Sequence, residues 1–132
     1  MTDIYTKLHG TTADRFKIGL KNQRVTLSGT TTNTAIEELL DRDGLKYIVE
    51  STVFFTAYVI GQGVNVAAYE IKGCYLQGTT TISGYVTNTY VDTADFNEPT
   101  INFNSLGEMT VNCAGVDTDT INWTAVIDFV SI

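Results

Sequence analysis

The sequence predicts an all-β protein, an antiparallel β-sandwich (jelly-roll-like) with an extended N-terminal arm. Three observations lead to this fold class. β-Branched and aromatic residues, which suit a pleated and half-buried surface, account for 59 of the 132 residues. Short stretches of alternating apolar and polar residues are separated by turns rich in Gly, Asn and Asp, the pattern of a sandwich or barrel. The chain contains 43% hydrophobic residues and one proline, so the composition excludes a disordered protein.

Composition and turn signals divide the chain at residue 33. Residues 1–33 are predicted to form the arm, in which residues 16–20 and 24–27 pair as a short hairpin. The Thr/Gly-rich residues 27–33 follow as a linker or wide turn. Residues 34–132 are predicted to form the β-sandwich domain, which is long enough to bury a core of its own.

The first elements of the domain are predicted from a turn and an apolar run. Thr34 and Glu37 have the spacing of a helix capping box, but Asp43 and Gly44 form a strong turn signal. We therefore predict strand, turn and strand over residues 34–49, with one helical turn as the alternative. Residues 53–60 are apolar on both faces, which predicts a strand that is buried on both sides.

The remaining strands are predicted from alternation. Residues 64–75 form a strand after a Gly-rich turn, residues 79–82 and 85–91 form two short strands, and residues 92–99 form the one long loop. Residues 108–114 and 120–130 are predicted to close the domain as a hairpin. The predicted core contains Phe55, Tyr69, Ile71, Val111, Trp123 and Ile127.

The charge is distributed unevenly along the chain. The formal net charge is −7, yet residues 1–24 hold five basic and two acidic side chains. An acidic body disfavours nucleic acid as a partner, whereas a basic arm suits docking on an acidic protein surface. The alternative is that the arm is an ordinary solvated hairpin. The residues predicted to dock are Lys7, Arg15, Phe16, Lys17, Ile18, Lys21 and Arg24.

The side chains that most catalytic and metal sites require are scarce, and we predict no enzyme activity, no cofactor and no bound metal. His9 is the single histidine, which removes the usual triads and multi-histidine metal sites. Cys74 and Cys113 are predicted to be free thiols. Acidic residues in the loops at 92–98 and 117–119 are the alternative, as exposed calcium sites. Since no apolar run is long enough to span a membrane and no signal peptide is recognised, we expect synthesis in a cytoplasm without membrane association.

The order of motifs from residue 34 onward resembles a family of β-sandwich domains found in the virion structural proteins of tailed bacteriophages. The matching segments, with their sequences, are 38–41 (ELLD), 51–59 (STVFFTAYV), 67–73 (AAYEIKG), 109–115 (MTVNCAG) and 120–126 (TINWTAV). The last of them resembles the typical family ending, a strand with a tryptophan near its start.

This resemblance implies a non-enzymatic structural role on the outer surface of a virion. Because 132 residues leave no room for a fibre shaft and an anchoring domain, we expect a capsid decoration (cement) protein whose partner is the major capsid protein. The alternative is a tail fibre, a tail-tip component or a receptor-binding module. Both alternatives favour a homotrimer, because closed symmetry repeats one contact without forming open filaments.

Overall fold

The computed structural model describes residues 22–131, and within that range all regular structure is β-strand. The strands are β1 (Asn22–Thr32), β2 (Ile36–Leu39), β3 (Tyr47–Ile48), β4 (Val53–Gln62), β5 (Val66–Tyr75), β6 (Ile82–Asp92), β7 (Thr100–Phe103), β8 (Glu108–Ala114) and β9 (Thr120–Ser131). Five of them form one sheet in the order β1, β9, β4, β5, β6, and β8 pairs with β2, β3 and β7 in a second sheet. Every pairing is antiparallel, and buried residues of both sheets share one core. The prediction of an antiparallel β-sandwich is therefore confirmed.

The predicted linker is wrong, because residues 22–32 form an edge strand of the larger sheet. β1 pairs with β9 along its whole length, from Asn22 opposite Val130 to Thr32 opposite Thr120. Leu27 and Thr31 are buried in the core although Thr and Gly residues surround them. The sandwich thus begins by residue 22 rather than at residue 34, and Asn22 and Gln23, which were predicted to lie in the turn of the hairpin, are part of β1. The partner of that hairpin, residues 16–20, lies outside the described residues.

The second segment is strand, turn and strand, as predicted, but the two strands do not pair with each other. β2 pairs with residues 111–114 of β8, and β3 pairs with residues 108–109. Because β7 already pairs with residues 109–112, β2 and β3 follow one another along the other edge of β8. The Asp41 carboxylate accepts backbone hydrogen bonds from Asp43 and Leu45 and thereby holds the turn between them.

The middle of the chain forms the antiparallel run β4, β5 and β6. β6 is one strand where two short strands had been predicted, and the predicted strand at residues 79–82 is mostly a turn. The pairing of β6 with β5 changes register twice, between Ala68 and Tyr69 and between Lys72 and Cys74. Gly84 has a positive φ of 67° near the second shift. Such bulges bend and twist the edge of a sheet.

The predicted closing hairpin is also wrong, because β8 and β9 lie in different sheets. Alternation correctly identifies the buried side of each strand, namely Met109, Val111 and Cys113 on β8 and Trp123, Ala125, Ile127 and Phe129 on β9. It carries no information about which strand becomes the neighbour. The connection at residues 115–119 therefore crosses from one sheet to the other.

All six residues predicted for the core are buried. Trp123 lies at the centre, where its indole Nε1 donates a hydrogen bond to Thr31 Oγ at 3.0 Å. Phe96, from the loop that follows β6, packs edge-on against the indole with ring centroids 5.6 Å apart. On the neighbouring strand, a Cβ at Gly61 would lie 2.5 Å from the indole ring. A glycine at this position is therefore what lets β4 pass over the tryptophan.

The core contains one polar group without a partner. Tyr69 is buried, and its hydroxyl makes no hydrogen bond to any atom of residues 22–131. Burial raises the pKa of this hydroxyl to about 12, with a further contribution from Asp92. A buried and unsatisfied hydroxyl destabilises a fold, because it loses water without gaining a bond.

We therefore expect Tyr69→Phe to increase the free energy of unfolding by about 1 kcal/mol. Chemical denaturation of the purified protein measures the change. Tyr75→Phe is the matched control, because the buried Tyr75 hydroxyl donates to the carbonyl of Asn104 at 3.4 Å. The control should be neutral or slightly destabilised, and a loss of stability in Tyr69→Phe would contradict the prediction.

Candidate functional site

The solvent-directed side of the five-stranded sheet, called the outer face below, is the candidate functional site. Alternate residues of β1, β9, β4, β5 and β6 build it, and the antiparallel register aligns them in rows across the strands. The central rows are Arg24, Asp128, Thr56 and Lys72 in one, and Thr26, Val126, Tyr58 and Glu70 in the next. The flanking rows are Asn22, Val130, Phe54 and Cys74 on one side, and Ser28, Thr124, Ile60 and Ala68 on the other.

Large apolar side chains on the outer face are exposed. On β4, Phe54 is 67% exposed, Tyr58 42% and Ile60 51%. Val130 on β9, which adjoins β4, is also exposed, and Val86, Tyr90 and Val91 are exposed on β6, beyond β5. Exposed apolar side chains grouped on one face are typical of a surface that contacts another protein.

Two ion pairs cross the outer face. The Arg24 guanidinium donates to Asp128 through Nε at 2.6 Å and through Nη2 at 2.9 Å. This bidentate contact raises the pKa of Arg24 and lowers the pKa of Asp128. On β5, Lys72 Nζ lies 3.8 Å from Glu70 Oε1, which also accepts a hydrogen bond from the Tyr90 hydroxyl at 3.2 Å. The bond to Glu70 raises the pKa of Tyr90.

The outer face is the least acidic part of the described surface. Residues 22–131 contain four basic and thirteen acidic side chains, and two of the basic and two of the acidic ones lie on the outer face. The face is therefore neutral, whereas the rest of the described residues carries two basic and eleven acidic side chains. Repulsion between acidic proteins is weakest where two of them approach through a neutral surface.

The opposite side of the sandwich differs in chemistry. The outward residues of β8 are Glu108, Thr110, Asn112 and Ala114, and those of β7 include Thr100 and Asn102. On β2, Glu38 lies 3.6 Å from Lys46 Nζ. This second sheet thus presents polar residues on β7 and β8, together with the exposed apolar side chains of Ile36 on β2 and Ile48 on β3.

Asp119 is the one buried acidic residue among residues 22–131, and it supports the fold at one end of the outer face. Its carboxylate accepts hydrogen bonds from the backbone N–H groups of Val64 at 3.1 Å and Asn65 at 2.9 Å. These bonds lower the pKa of Asp119 below its usual 3.8, the bond from Asn65 making the largest contribution. They also tie the turn between β4 and β5 to the start of β9. Asp119 is therefore engaged by N–H donors rather than available as a calcium ligand.

The depressed pKa predicts a pH dependence. Because the folded pKa lies below the unfolded value, the stability that Asp119 contributes is complete above pH 3.8 and falls as the pH drops towards the folded value. Asp119→Asn should lower the melting temperature at pH 7 by several degrees and flatten the loss of stability between about pH 4 and pH 2. Thermal melts across that range measure it, with the exposed Asp43→Asn as the control. An unchanged acid profile in Asp119→Asn would contradict the assignment.

In the other acidic loop, which was predicted as an alternative calcium site, Asp92 and Glu98 also accept hydrogen bonds from other residues of the chain. Asp92 Oδ1 accepts backbone hydrogen bonds from Ala94 and Phe96, and Glu98 accepts one from the Thr89 hydroxyl. Among residues 22–131 no group of three acidic, His or Cys side chains is arranged to hold a metal ion.

The two thiols are free, as predicted. Cys113 is buried, and burial raises the pKa of its thiol to about 12, so it is inert as a nucleophile. Cys74 is half-buried on the outer face next to Phe54.

The described surface includes the following two shallow depressions. The larger has a volume of ≈ 470 Å³ and lies at the corner of the outer face, between Asn22 and Asp128. The smaller has a volume of ≈ 290 Å³ and lies between Val49 and Leu106. In the larger depression, the charged lining residues are Arg24 and Asp128, which are bonded to each other.

Within residues 22–131, no helix is long and apolar enough to cross a membrane.

The docking residues predicted from the sequence fall into two groups. Arg24 lies on β1, where it is exposed and bonded to Asp128. The other six, Lys7, Arg15, Phe16, Lys17, Ile18 and Lys21, lie outside the described residues. Asn22 lies at the corner of the outer face beside Val130.

The apolar residues of the outer face were missed as functional residues, although their signal was in the sequence. The run at residues 53–60 had been interpreted as a strand buried on both sides. The structure corrects this prediction, since Val53, Phe55, Ala57 and Val59 are buried whereas Phe54, Tyr58 and Ile60 are exposed. Both faces of β4 are apolar, but one lies in the core and the other lies on the surface.

No known family model, curated protein or solved structure matches this chain.

Proposed function

We propose that this chain is a non-enzymatic structural protein of a bacteriophage virion, and specifically a capsid decoration protein that docks on the shell of the major capsid protein and stabilises it. The observation that carries the proposal is the outer face, an apolar and electrically neutral sheet surface on an otherwise acidic body. Such a surface supports a role in protein–protein contact.

The kind of assembly follows from the sequence resemblance to bacteriophage β-sandwich domains. The matching segments at residues 51–59 and 67–73 correspond largely to β4 and β5, the two strands next to each other in the larger sheet. The segment at residues 120–126 is the first half of β9, which pairs with β4. Three of the five matching segments thus lie in the larger sheet, and the other two, residues 38–41 and 109–115, overlap β2 and β8 of the second sheet.

Docking on the shell is assigned to the basic segment that precedes β1. Residues 1–21 hold four basic and two acidic side chains, in contrast to the acidic residues that follow. Opposite charge steers such a segment to an acidic shell, and apolar side chains such as Phe16 and Ile18 add contacts that salt does not screen. Many copies on a symmetric shell then convert individually weak contacts into strong binding, and each bound copy stabilises the assembled lattice.

Co-sedimentation with undecorated capsids tests this proposal. We expect the full chain to bind, and the chain lacking residues 1–21 to stay folded but lose most of its binding. Replacing Arg15, Lys17 and Lys21 together by Gln should weaken binding and make the remainder less dependent on salt. The matched control replaces Arg42 and Lys46, which are basic and exposed but lie outside the outer face. Full binding by the truncated chain would contradict the docking role, and labelled protein found only on tails would favour a tail component.

A further inference from the structure

We infer that the outer face binds the outer face of a second copy of this chain, as a two-fold dimer whose axis runs parallel to β4. This inference deepens the proposed role of the outer face by naming its partner, and it rests on that role. Three properties of the outer face indicate a second copy as the partner: the position of its charges, its symmetry about β4 and its area.

The strand order makes the outer face symmetrical about β4. In the order β1, β9, β4, β5, β6, the central strand has β9 on one side and β5 on the other. A two-fold axis parallel to β4 therefore places β9 of one copy over β5 of its partner and keeps every row opposite the same row. Phe54, Tyr58 and Ile60 then meet their own counterparts across the axis. Each copy thus covers the exposed apolar residues of β4 in the other.

The same arrangement brings opposite charges together. Asp128 and Lys72 are in one row, on either side of Thr56. With the axis along β4, Lys72 of one copy approaches Asp128 of the other, and the contact occurs twice. Asp128 already accepts both bonds from Arg24, so each carboxylate would lie between two cations. Complementary charges of this kind select orientation in protein interfaces.

An in-plane axis perpendicular to the strands gives different charge contacts. An axis perpendicular to the strands through the row of Tyr58 would place β5 over β5, and Glu70 of one copy over Glu70 of the other. It would also place Lys72 opposite Ala68, because the rows reverse about that axis. Like charges in direct opposition are unfavourable in an interface. A perpendicular axis midway between the rows of Thr56 and Tyr58 would pair Lys72 with Glu70 of the partner, but it would leave Asp128 opposite Val126. Of these axes, the one along β4 alone brings Lys72 to Asp128 and keeps the exposed apolar residues of β4 opposite their own counterparts, and we assign that axis.

The area of the outer face suits a stable dimer. Five strands about 4.8 Å apart, each about 30 Å long, present a surface of about 700 Å². A standard protein interface buries about 800 Å² on each partner. The acidity of the remaining described surface opposes association elsewhere, because eleven acidic side chains face only two basic ones there. The outer face is thus where a second copy meets the least repulsion.

Sedimentation equilibrium of the full chain gives the first test. We expect twice the monomer mass at a protein concentration of about 100 μM, since interfaces of this area have dissociation constants in the micromolar range or lower. Ile60→Lys, which sets two ammonium groups against each other, should weaken the dimer by about tenfold or more. The matched control Leu106→Lys changes an equally aliphatic and exposed residue that is not on the outer face. It should remain dimeric.

A mixing experiment tests the axis. Lys72→Glu and Asp128→Lys should each be folded and mostly monomeric alone, because each variant opposes like charges twice. An equimolar mixture should form a heterodimer, since both opposite-charge contacts are then available between the two variants. Folded variants whose mixture stays monomeric would overturn the axis along β4.

The outcomes separate this inference from the proposed function. A wild-type chain that is monomeric or trimeric in solution overturns the dimer, even if it sediments with capsids. A chain that is dimeric but never binds capsids overturns the decoration role and supports the dimer. The homotrimer predicted from the resemblance is tested by the same measurement of mass.

Discussion

Replacing Trp123 by alanine should lower the free energy of unfolding by about 3–5 kcal/mol, the range for large-to-small changes in a core. The indole is 1% exposed, is packed edge-on by Phe96 and donates to Thr31 Oγ. Alanine would leave a cavity and would also leave the buried Thr31 hydroxyl without its donor. The cost falls on the middle of the core, because β9 lies between β1 and β4 in the larger sheet.

Denaturant unfolding followed by circular dichroism measures this loss, since the variant has no tryptophan to follow by fluorescence. Trp123→Phe is the control, because it keeps an aromatic ring beside Phe96 and removes only the outer ring and the N–H donor. It should cost clearly less than alanine. A loss below about 1 kcal/mol for Trp123→Ala, typical of surface substitutions, would contradict the central place of the indole.

Deleting residues 1–32 should abolish cooperative folding, whereas deleting residues 1–21 should leave it intact. The longer deletion removes β1, with the buried side chains of Leu27 and Thr31, and exposes the edge of β9. A bared central strand is also a template for aggregation. Thermal melts and light scattering of the two truncated proteins compare them directly. A cooperative melt in the absence of β1 would show that this strand is dispensable to the sandwich.

The buried side of nearly every strand could be predicted from the sequence, because side chains alternate between the two faces of a strand. Ile71 and Val111 were assigned to the core on this basis, and both are fully buried. The neighbours of the strands could not be predicted in the same way. Alternation is the same whether residues 108–114 pair with β9 or with β2, since pairing depends on how two sheets are divided between distant segments.

β1 was missed for a related reason. Its composition, with Thr at four of eleven positions and one Gly, has the local appearance of a linker. Leu27 and Thr31 are four residues apart and therefore fall on one side of a strand, but Thr31 is bonded to Trp123, which is distant in sequence, and Leu27 lies in the core shared by both sheets. Local patterns cannot reveal a contact that only the folded sheet creates.

The candidate site was present in the sequence as an excess of apolar residues on one strand. Phe54, Tyr58 and Ile60 alternate with the core residues of β4, so the run was assigned wholly to the interior. The sequence alone did not reveal how many layers of sheet the fold contains. A two-layer sandwich covers only one face of each sheet, so the second apolar face must lie on the surface until a partner covers it.

The register shifts of β6 limit how this protein can associate. β6 is a long edge strand with little charge, a combination that invites edge-to-edge pairing and filament growth. The two shifts leave only the short stretch Val86 to Thr89 in uninterrupted register with β5, so a foreign strand finds no long regular ladder to extend. Growth from the β6 edge of the sheet is thereby interrupted, whereas a contact across the sheet face ends at two copies. A chain built in this way can be concentrated at an assembly site without polymerising there.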